Sequence, residues 1–266
     1  MSGELVTYGV EANGACAVIT IDRAERLNAL NNDVVTQLLA CAVRARDDES
    51  VRAVILAGAG DRAFCAGADL DELRQRDQVS EVGPVSARRR ELAAILERMP
   101  KPTIAAVNGH ALGGGLELAL ACTFRIASER AKLGLPEVTL GILPGNGGTQ
   151  RLARLVGMGR ALEMVLTGTP VQAPDALGMG LVHRVTPQGQ VMDEARRWAT
   201  HLATLPPRAL AAAKESVLAS ADLALDAGIT YENKWFAILC GSPEKSAALD
   251  ARAAVRSGAG SEGNAL

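Results

Sequence analysis

Two glutamates in apolar surroundings are the residues best placed to do chemistry. Glu117 lies inside the run LELALAC (116–122), and Glu137 inside LPEVTL (135–140). An unpaired carboxylate is costly to bury, so each needs a reason to be there. Two carboxyls in a low-dielectric site make an acid–base pair whose pKa values can be pushed apart. Glycines surround them. The segments 61–70 (DRAFCAGADL), 107–120 (VNGHALGGGLELAL) and 133–151 (LGLPEVTLGILPGNGGTQR) form a set. The first two directly follow strand-like runs, and α/β folds put their ligands at the C-terminal ends of such strands. Glycine there lets a backbone N–H face a ligand with no Cβ in the way. At a helix start the dipole also favours an anion, and two converging amides make an oxyanion hole. Spacing alone leaves a second reading open. In it Gly113, Gly114 and Gly115 only permit close helix packing, and the glutamates cap helices or pair with arginines.

The elements that must position these residues follow from the hydrophobic pattern. Residues 15–21, 51–57 and 103–107 read as short buried strands. Residues 33–46 have helical spacing, with Val34, Leu38, Cys41 and Ala42 on one face. A helix over 86–98 is stopped by Pro100 and Pro102, which disfavour helical backbone in their predecessors. A buried helix over 116–122 precedes a strand over 123–128. Strand–helix alternation of this kind predicts an α/β fold with covered sheets. From residue 147 onward helices dominate, at 148–157, 159–167, 173–179, 190–204, 207–219, 222–239 and 243–255. One strand-like piece interrupts them at 181–185.

Composition removes other classes. The 266 residues are 48% apolar and 22% charged, an ordinary globular balance. Aromatics are 3%, so the core must be mostly Ala, Val, Leu and Ile. With 28 basic against 30 acidic residues the net charge is −2, so the basic excess of a nucleic-acid binder is missing. Cys16, Cys41, Cys65, Cys122 and Cys240 include no C-x-x-C pair, which fits reduced thiols in a cytoplasmic protein. Met1 to Val10 do not form a signal peptide. The most apolar stretch, 102–122, is interrupted by Asn108, His110 and Glu117, so no spanning helix is expected. Neither nucleic acid nor membrane is an expected partner. Gly145-Asn146-Gly147-Gly148 and Gly157-Met158-Gly159 lack the full G-x-G-x-x-G pattern, and no P-loop is present. No G-x-S-x-G elbow occurs. His110, His183 and His201 stand outside any H-E-x-x-H pattern and read as surface or packing residues, so no metal is expected.

The segments RLNAL (26–30), AFCAGADL (63–70), VNGHALGGGLELAL (107–120), PEVTLGILPGNGGTQRL (136–152) and ALGMGLVHRV (176–185) resemble, in this order, the enoyl-CoA hydratase/isomerase (crotonase) family. The likeness runs from about residue 5 to 250. It implies a spiral of ββα units over 1–200, a helical trimerisation region over 201–256 and a flexible tail over 257–266. A homotrimer, or a homohexamer of stacked trimers, is the implied assembly. The resemblance puts the oxyanion amides on Ala68 and Gly114 and the catalytic glutamates on Glu117 and Glu137. Relatives with other activities often keep one of the two acids. Having both favours hydration of 2-enoyl-CoA over Δ3–Δ2 isomerisation or another crotonase-type reaction. A non-catalytic acyl-CoA-binding protein is the alternative of a different class. The implied substrate and CoA contacts are Arg26, Leu27, Ala29, Ala66, Ala68, Asp69, Leu70 and Gly114, with Arg62 near the phosphates. Coenzyme A enters as part of the substrate, so no separate cofactor is expected. Arg26 reads either as a CoA contact or as a solvated loop residue. Asp69 reads either as a substrate contact through its backbone or as a stabiliser of its turn. Arg88-Arg89-Arg90 read as a water-exposed helix face. The sequence departs from the family at its end, where Leu249-Asp250-Ala251-Arg252 replace an aromatic and lysine-rich stretch. Arg252 and Arg256 are the basic groups left there.

Overall fold

The computed structural model describes residues 3–261. The chain divides after Ala203 into two compact units. The first unit opens with a hairpin of β1 (Val6–Glu11) and β2 (Cys16–Ile21), paired antiparallel. Its tight turn holds Asn13 at φ 56° and Gly14 at φ 96°. Asn-Gly between strand-like runs is a hairpin signal, and the sequence reading, which starts at residue 15, misses β1. Helix α1 (Asn32–Asp47) follows, capped by Asn31, whose side chain accepts the Val34 N–H at 2.8 Å. Val34, Leu38 and Ala42 are buried on the expected face, and Cys41 is half-buried.

A repeating unit then builds the spiral. Strand β3 (Ala53–Gly58) leads to the short β4 (Ala63–Cys65), then to helices α2 (Leu70–Leu73), α3 (Gln78–Glu81) and α4 (Pro84–Arg98). The next turn is β5 (Thr103–Val107), β6 (His110–Leu112) and α5 (Gly114–Ala121). The third begins with β7 (Phe124–Ser128) and β8 (Lys132–Gly134), followed by a 3-10 turn over Pro136–Leu140. Helices α6 (Gly148–Val156) and α7 (Met158–Thr167), strand β9 (Val171–Gln172), helix α8 (Ala173–Gly178), strand β10 (Arg184–Thr186) and helix α9 (Val191–Ala203) complete the unit. Each turn thus gives one strand to each of two sheets. The larger has the order β1-β2-β3-β5-β7-β10, the smaller β4-β6-β8-β9. The ββα spiral expected from the resemblance is the fold of this unit. The two- and three-residue strands of the smaller sheet carry no readable alternation, and the sequence reading passes over them. The strand expected at 181–185 begins later, at Arg184, because the N–H groups of Leu181 and Val182 are taken by Ala176 O at the end of α8.

Both faces of the larger sheet are covered. Val54, Leu56, Ala105 and Val107 join Val34, Leu38, Leu92, Leu96 and Leu116 in one core. Their neighbours Ile55, Ala57, Ile104 and Ala106 pack on Val191, Ala195 and Ala199 of α9. Side chains alternate across a strand, so a strand buried on both faces reads as a continuous apolar run. Truncating one of the large core residues to Ala would cost about 2–5 kcal/mol. That rigidity holds the strand ends, and the loops beyond them, in place.

The second unit consists of α10 (Pro207–Ala219), α11 (Leu225–Cys240) and α12 (Pro243–Ser261). Helix α12 continues to Ser261, through residues 257–261 that the sequence reading assigns to a Gly/Ser-rich tail. The rest of that tail lies outside the described residues. Among the described residues no helix is long and apolar enough to cross a membrane.

Candidate active site

Two loop segments run side by side at the ends of β2 and β4. Leu30 and Ala68 form an isolated parallel bridge. The Leu30 N–H donates to Gly67 O at 2.7 Å, Asp69 N–H to Leu30 O at 3.0 Å, and Ala66 N–H to Leu27 O at 3.0 Å. This pairing turns the Ala68 N–H away from its partner strand. Among the described residues the Ala68 N–H donates to no protein acceptor.

The glycines of 113–115 have three different reasons to be glycine. Gly113 has φ +52°, and a Cβ there would sit 3.0 Å from Glu137 Oε1. A Cβ on Gly115 would lie 2.1 Å from Cys65 O, so α5 could not approach β4 with any other residue. Gly114 meets no such obstacle, and it is the first residue of α5, whose N–H has no acceptor within the helix. The packing reading therefore holds for Gly115 and leaves the Gly114 amide free for a ligand. A Cβ built on Gly114 would be 3.9 Å from the Ala68 N, and one on Gly67 would be 3.3 Å from the Gly114 N. The two unengaged amides are neighbours.

The two acids sit in opposite surroundings. Glu117 is 2% exposed, yet its carboxylate is fully addressed. Its Oε1 accepts the N–H groups of Asn146 at 2.7 Å and Gly148 at 2.8 Å, and its Oε2 accepts Asn146 Nδ2 at 3.1 Å. Gly148 is the first residue of α6, so the carboxylate occupies a helix N-terminus. Arg151 fixes the cradle from behind: its Nη1 donates to Asn146 O at 2.8 Å, and its Nε and Nη2 grip Glu97 at 2.8 and 2.9 Å. The sequence reading sets the 145–148 loop aside for lacking a dinucleotide pattern. Its use is to hold Glu117, and glycines opening a helix with Asn146 among them are the signal for it.

Glu137 projects from the 3-10 turn beside Gly113. Its Oε2 is buried and accepts no hydrogen bond. Burial pushes its carboxyl up to about 7; its own backbone N–H works the other way, and the nearby Glu117 charge adds to the rise.

The expected CoA contacts gather on the two paired segments. Leu27 has φ 53°, and Ala29 O accepts Arg23 Nη1 at 3.1 Å. Arg23 also pairs with Asp69 at 2.7 Å, both side chains being largely buried. Burial opposes the Asp69 charge, but Arg23 and the N–H groups of Asp71 and Glu72 outweigh it and hold its carboxyl below the usual range. Asp69 caps α2 through Asp71 N–H at 3.0 Å, and its own N–H is taken by Leu30. Its geometry is that of the turn stabiliser. Arg23 and Asn28 are missed by the sequence reading. Asn28 is fully buried, accepts the Arg23 N–H and donates to Ala59 O and Ala63 O. Together they lock the 26–30 loop. Ala66 and Ala68 are half-buried, and Leu70 is exposed at the start of α2. Arg26 is exposed, 3.4 Å from Asp71, with its charge open to solvent. One expectation is corrected: Arg88 and Arg90 are exposed, but Arg89 between them is 7% exposed. It lines a cavity together with Gly114, Glu117 and Asn146.

Two unengaged amides thus lie beside one cradled and one uncompensated carboxyl, on a spiral of ββα turns. The family model described as enoyl-CoA hydratase/isomerase matches residues 11–250, and the chain belongs to that family. A short-chain-enoyl-CoA hydratase of Clostridium acetobutylicum is 40% identical over 88% of this chain and 89% of its own length. A 2,3-dehydroadipyl-CoA hydratase of Escherichia coli is 41% identical over 88% of this chain and 90% of its own. The crystal structure of an enoyl-CoA hydratase from Bacillus anthracis superposes with a TM-score of 0.88 at 37% identity, covering 93% of this chain and 95% of that one.

Proposed function

We propose that the protein is a hydro-lyase that adds water across the C2–C3 double bond of 2-enoyl-CoA thioesters, giving 3-hydroxyacyl-CoA. The observation that carries this reading is the pairing of two unengaged amides with two carboxyls in opposite environments. The thioester oxygen lies between the Ala68 and Gly114 N–H groups. Glu117, held by Asn146 and Gly148, orients a water and takes one of its protons as the oxygen bonds to C3. The C2–C3 electron pair moves onto the thioester oxygen, where each amide stabilises the enolate by about 3–4 kcal/mol. As the enolate collapses, C2 takes the proton of Glu137, whose raised pKa leaves it protonated below about 7. Glu117 then releases its proton and Glu137 regains one, which resets the site. Both acids are needed, as isomerisation by one base is not.

Coenzyme A enters with the substrate along the segments that carry Arg26, Leu27, Ala29, Ala66, Ala68, Asp69 and Leu70, with no other cofactor. Assembly as a homotrimer or hexamer is supported by large apolar side chains left exposed in the helical unit, among them Leu225 at 79%, Phe236 at 69% and Ile238 at 63%. Five free thiols support a reducing, cytoplasmic setting. The test is loss of the conjugated enoyl absorbance of crotonyl-CoA on adding the purified protein without metal or nucleotide. No loss at any enzyme concentration would reject the reading.

A further inference from the structure

The cavity lined by Glu117 and Asn146 has a cation in its wall, Arg89 of α4, among the apolar side chains of Leu30, Val35, Leu92, Ala93 and Leu118. The Arg89 side chain is 7% exposed. Its Nη2 donates to both carboxylate oxygens of Glu81, at 2.7 and 2.6 Å. Its Nη1 is buried and has no hydrogen-bond partner.

A guanidinium that served only to anchor Glu81 would present two nitrogens to the two carboxylate oxygens, the fork geometry that makes Arg–carboxylate pairs strong. Here one nitrogen takes both oxygens and the other is left over. A buried donor without an acceptor is expensive. Arg76 also reaches Glu81, at 3.7 Å, so the carboxylate that faces Arg89 is already shared between two cations. Arg89 lines the cavity, and an acceptor that reached Nη1 from there would complete the set.

The position of that acceptor follows from the proposed hydration site, on which this inference rests. With the thioester oxygen at Ala68 and Gly114 and C3 at Glu117, the acyl carbons beyond C3 enter the cavity that Glu117 and Arg89 share. We propose that Arg89 Nη1 is a specificity donor for an oxygen at the far end of the acyl chain. The substrate class is 2-enoyl-CoA thioesters whose tail carries a distal hydrogen-bond acceptor, a carboxylate or a neutral oxygen, rather than a plain hydrocarbon tail.

The test compares 2-enoyl-CoA thioesters of matched length that end in a methyl, a hydroxyl or a carboxylate, scored as ratios of kcat/KM. The wild-type protein should prefer an oxygen-ended tail over the methyl-ended one by about 10- to 100-fold, the range for a hydrogen bond to a charged group. The larger of the hydroxyl and carboxylate ratios identifies the form of the acceptor. In Arg89→Met the preference should fall by about the same factor, and Arg89→Lys should restore part of it. A ratio does not depend on how much of a variant is folded, and the wild-type series stands without any variant. Equal or better turnover of the methyl-ended substrate by the wild type overturns the inference and leaves the hydratase reading intact. A preference that survives in Arg89→Met also overturns it. Turnover of none of the three overturns both.

Discussion

Glu117 and Glu137 are the same residue type, close enough for the charge of one to act on the other, and their surroundings are opposite. Glu117 is the more buried of the two, yet every oxygen has a donor: two backbone N–H groups and the Asn146 amide. Glu137 is less buried, but its Oε2 has no partner and its pKa is pushed up to about 7. Burial alone therefore does not set the behaviour of a carboxyl here. Which N–H groups the neighbouring loops turn toward it does. The α6 N-terminus points donors at Glu117, whereas Gly113, with its N–H committed to Gly134 O at 2.9 Å, offers Glu137 only space. In the proposed mechanism this contrast makes Glu117 the oriented acceptor and Glu137 the proton donor that hydration requires.

The sharpest way to break this contrast is at its cradled end. Glu117→Gln keeps the volume and removes the proposed base, and should lower kcat on crotonyl-CoA by about 10²–10⁴-fold. Unchanged kcat in a folded variant would remove Glu117 from the mechanism. Gly114→Pro deletes the proposed oxyanion donor at a first-turn position that tolerates proline. It should depress kcat by about 10²-fold or more, with acyl-CoA affinity falling less. Circular dichroism and oligomer size matching the parent make that comparison valid. Asn146→Ala removes only the side-chain donor to Glu117 and leaves both backbone donors. A loss of about 10-fold in kcat is expected, from a contribution of about one hydrogen bond to a charged group, and an effect as large as that of Glu117→Gln would mean the whole cradle had collapsed. The smallest effect concerns stability. The Glu137 pKa is raised above its unfolded value, so its favourable contribution is present below about pH 4.5 and is lost as pH rises through about 7. Between these limits the wild type should lose several degrees of Tm relative to Glu137→Gln, the half-buried carboxyl giving less than a fully buried one would. Parallel melting curves across that window would contradict the assigned shift.

Much of this was legible in the sequence because apolar runs and glycines act locally. Strands β3 and β5 are buried on both faces, and their continuous aliphatic runs announce it. Glu117 and Glu137 stand out as carboxyls in apolar text. The two amides come from the family resemblance, and the local glycines are consistent with them. What was not legible depends on contacts distant in the chain. Asn146 meets Glu117 across 29 positions, and Arg23 meets Asp69 across 46. Arg89 reads as one of three solvated arginines because sequence spacing places it on a helix without showing what covers that face. Its partner Glu81 comes from the separate helix α3, whose four residues are too few to show a periodicity.

In the proposed mechanism the two acids divide the work, with Glu137 the group that titrates near neutrality. The pH dependence of kcat/KM on crotonyl-CoA reads the free enzyme's groups directly. For the wild type it should fall on the alkaline side with an apparent pKa near 7, because Glu137 must be protonated to supply the C2 proton. The residual activity of Glu137→Gln should lack that limb, while the residual activity of Glu117→Gln should keep it. An alkaline limb near 7 that persists in Glu137→Gln, or that disappears only in Glu117→Gln, would contradict the account.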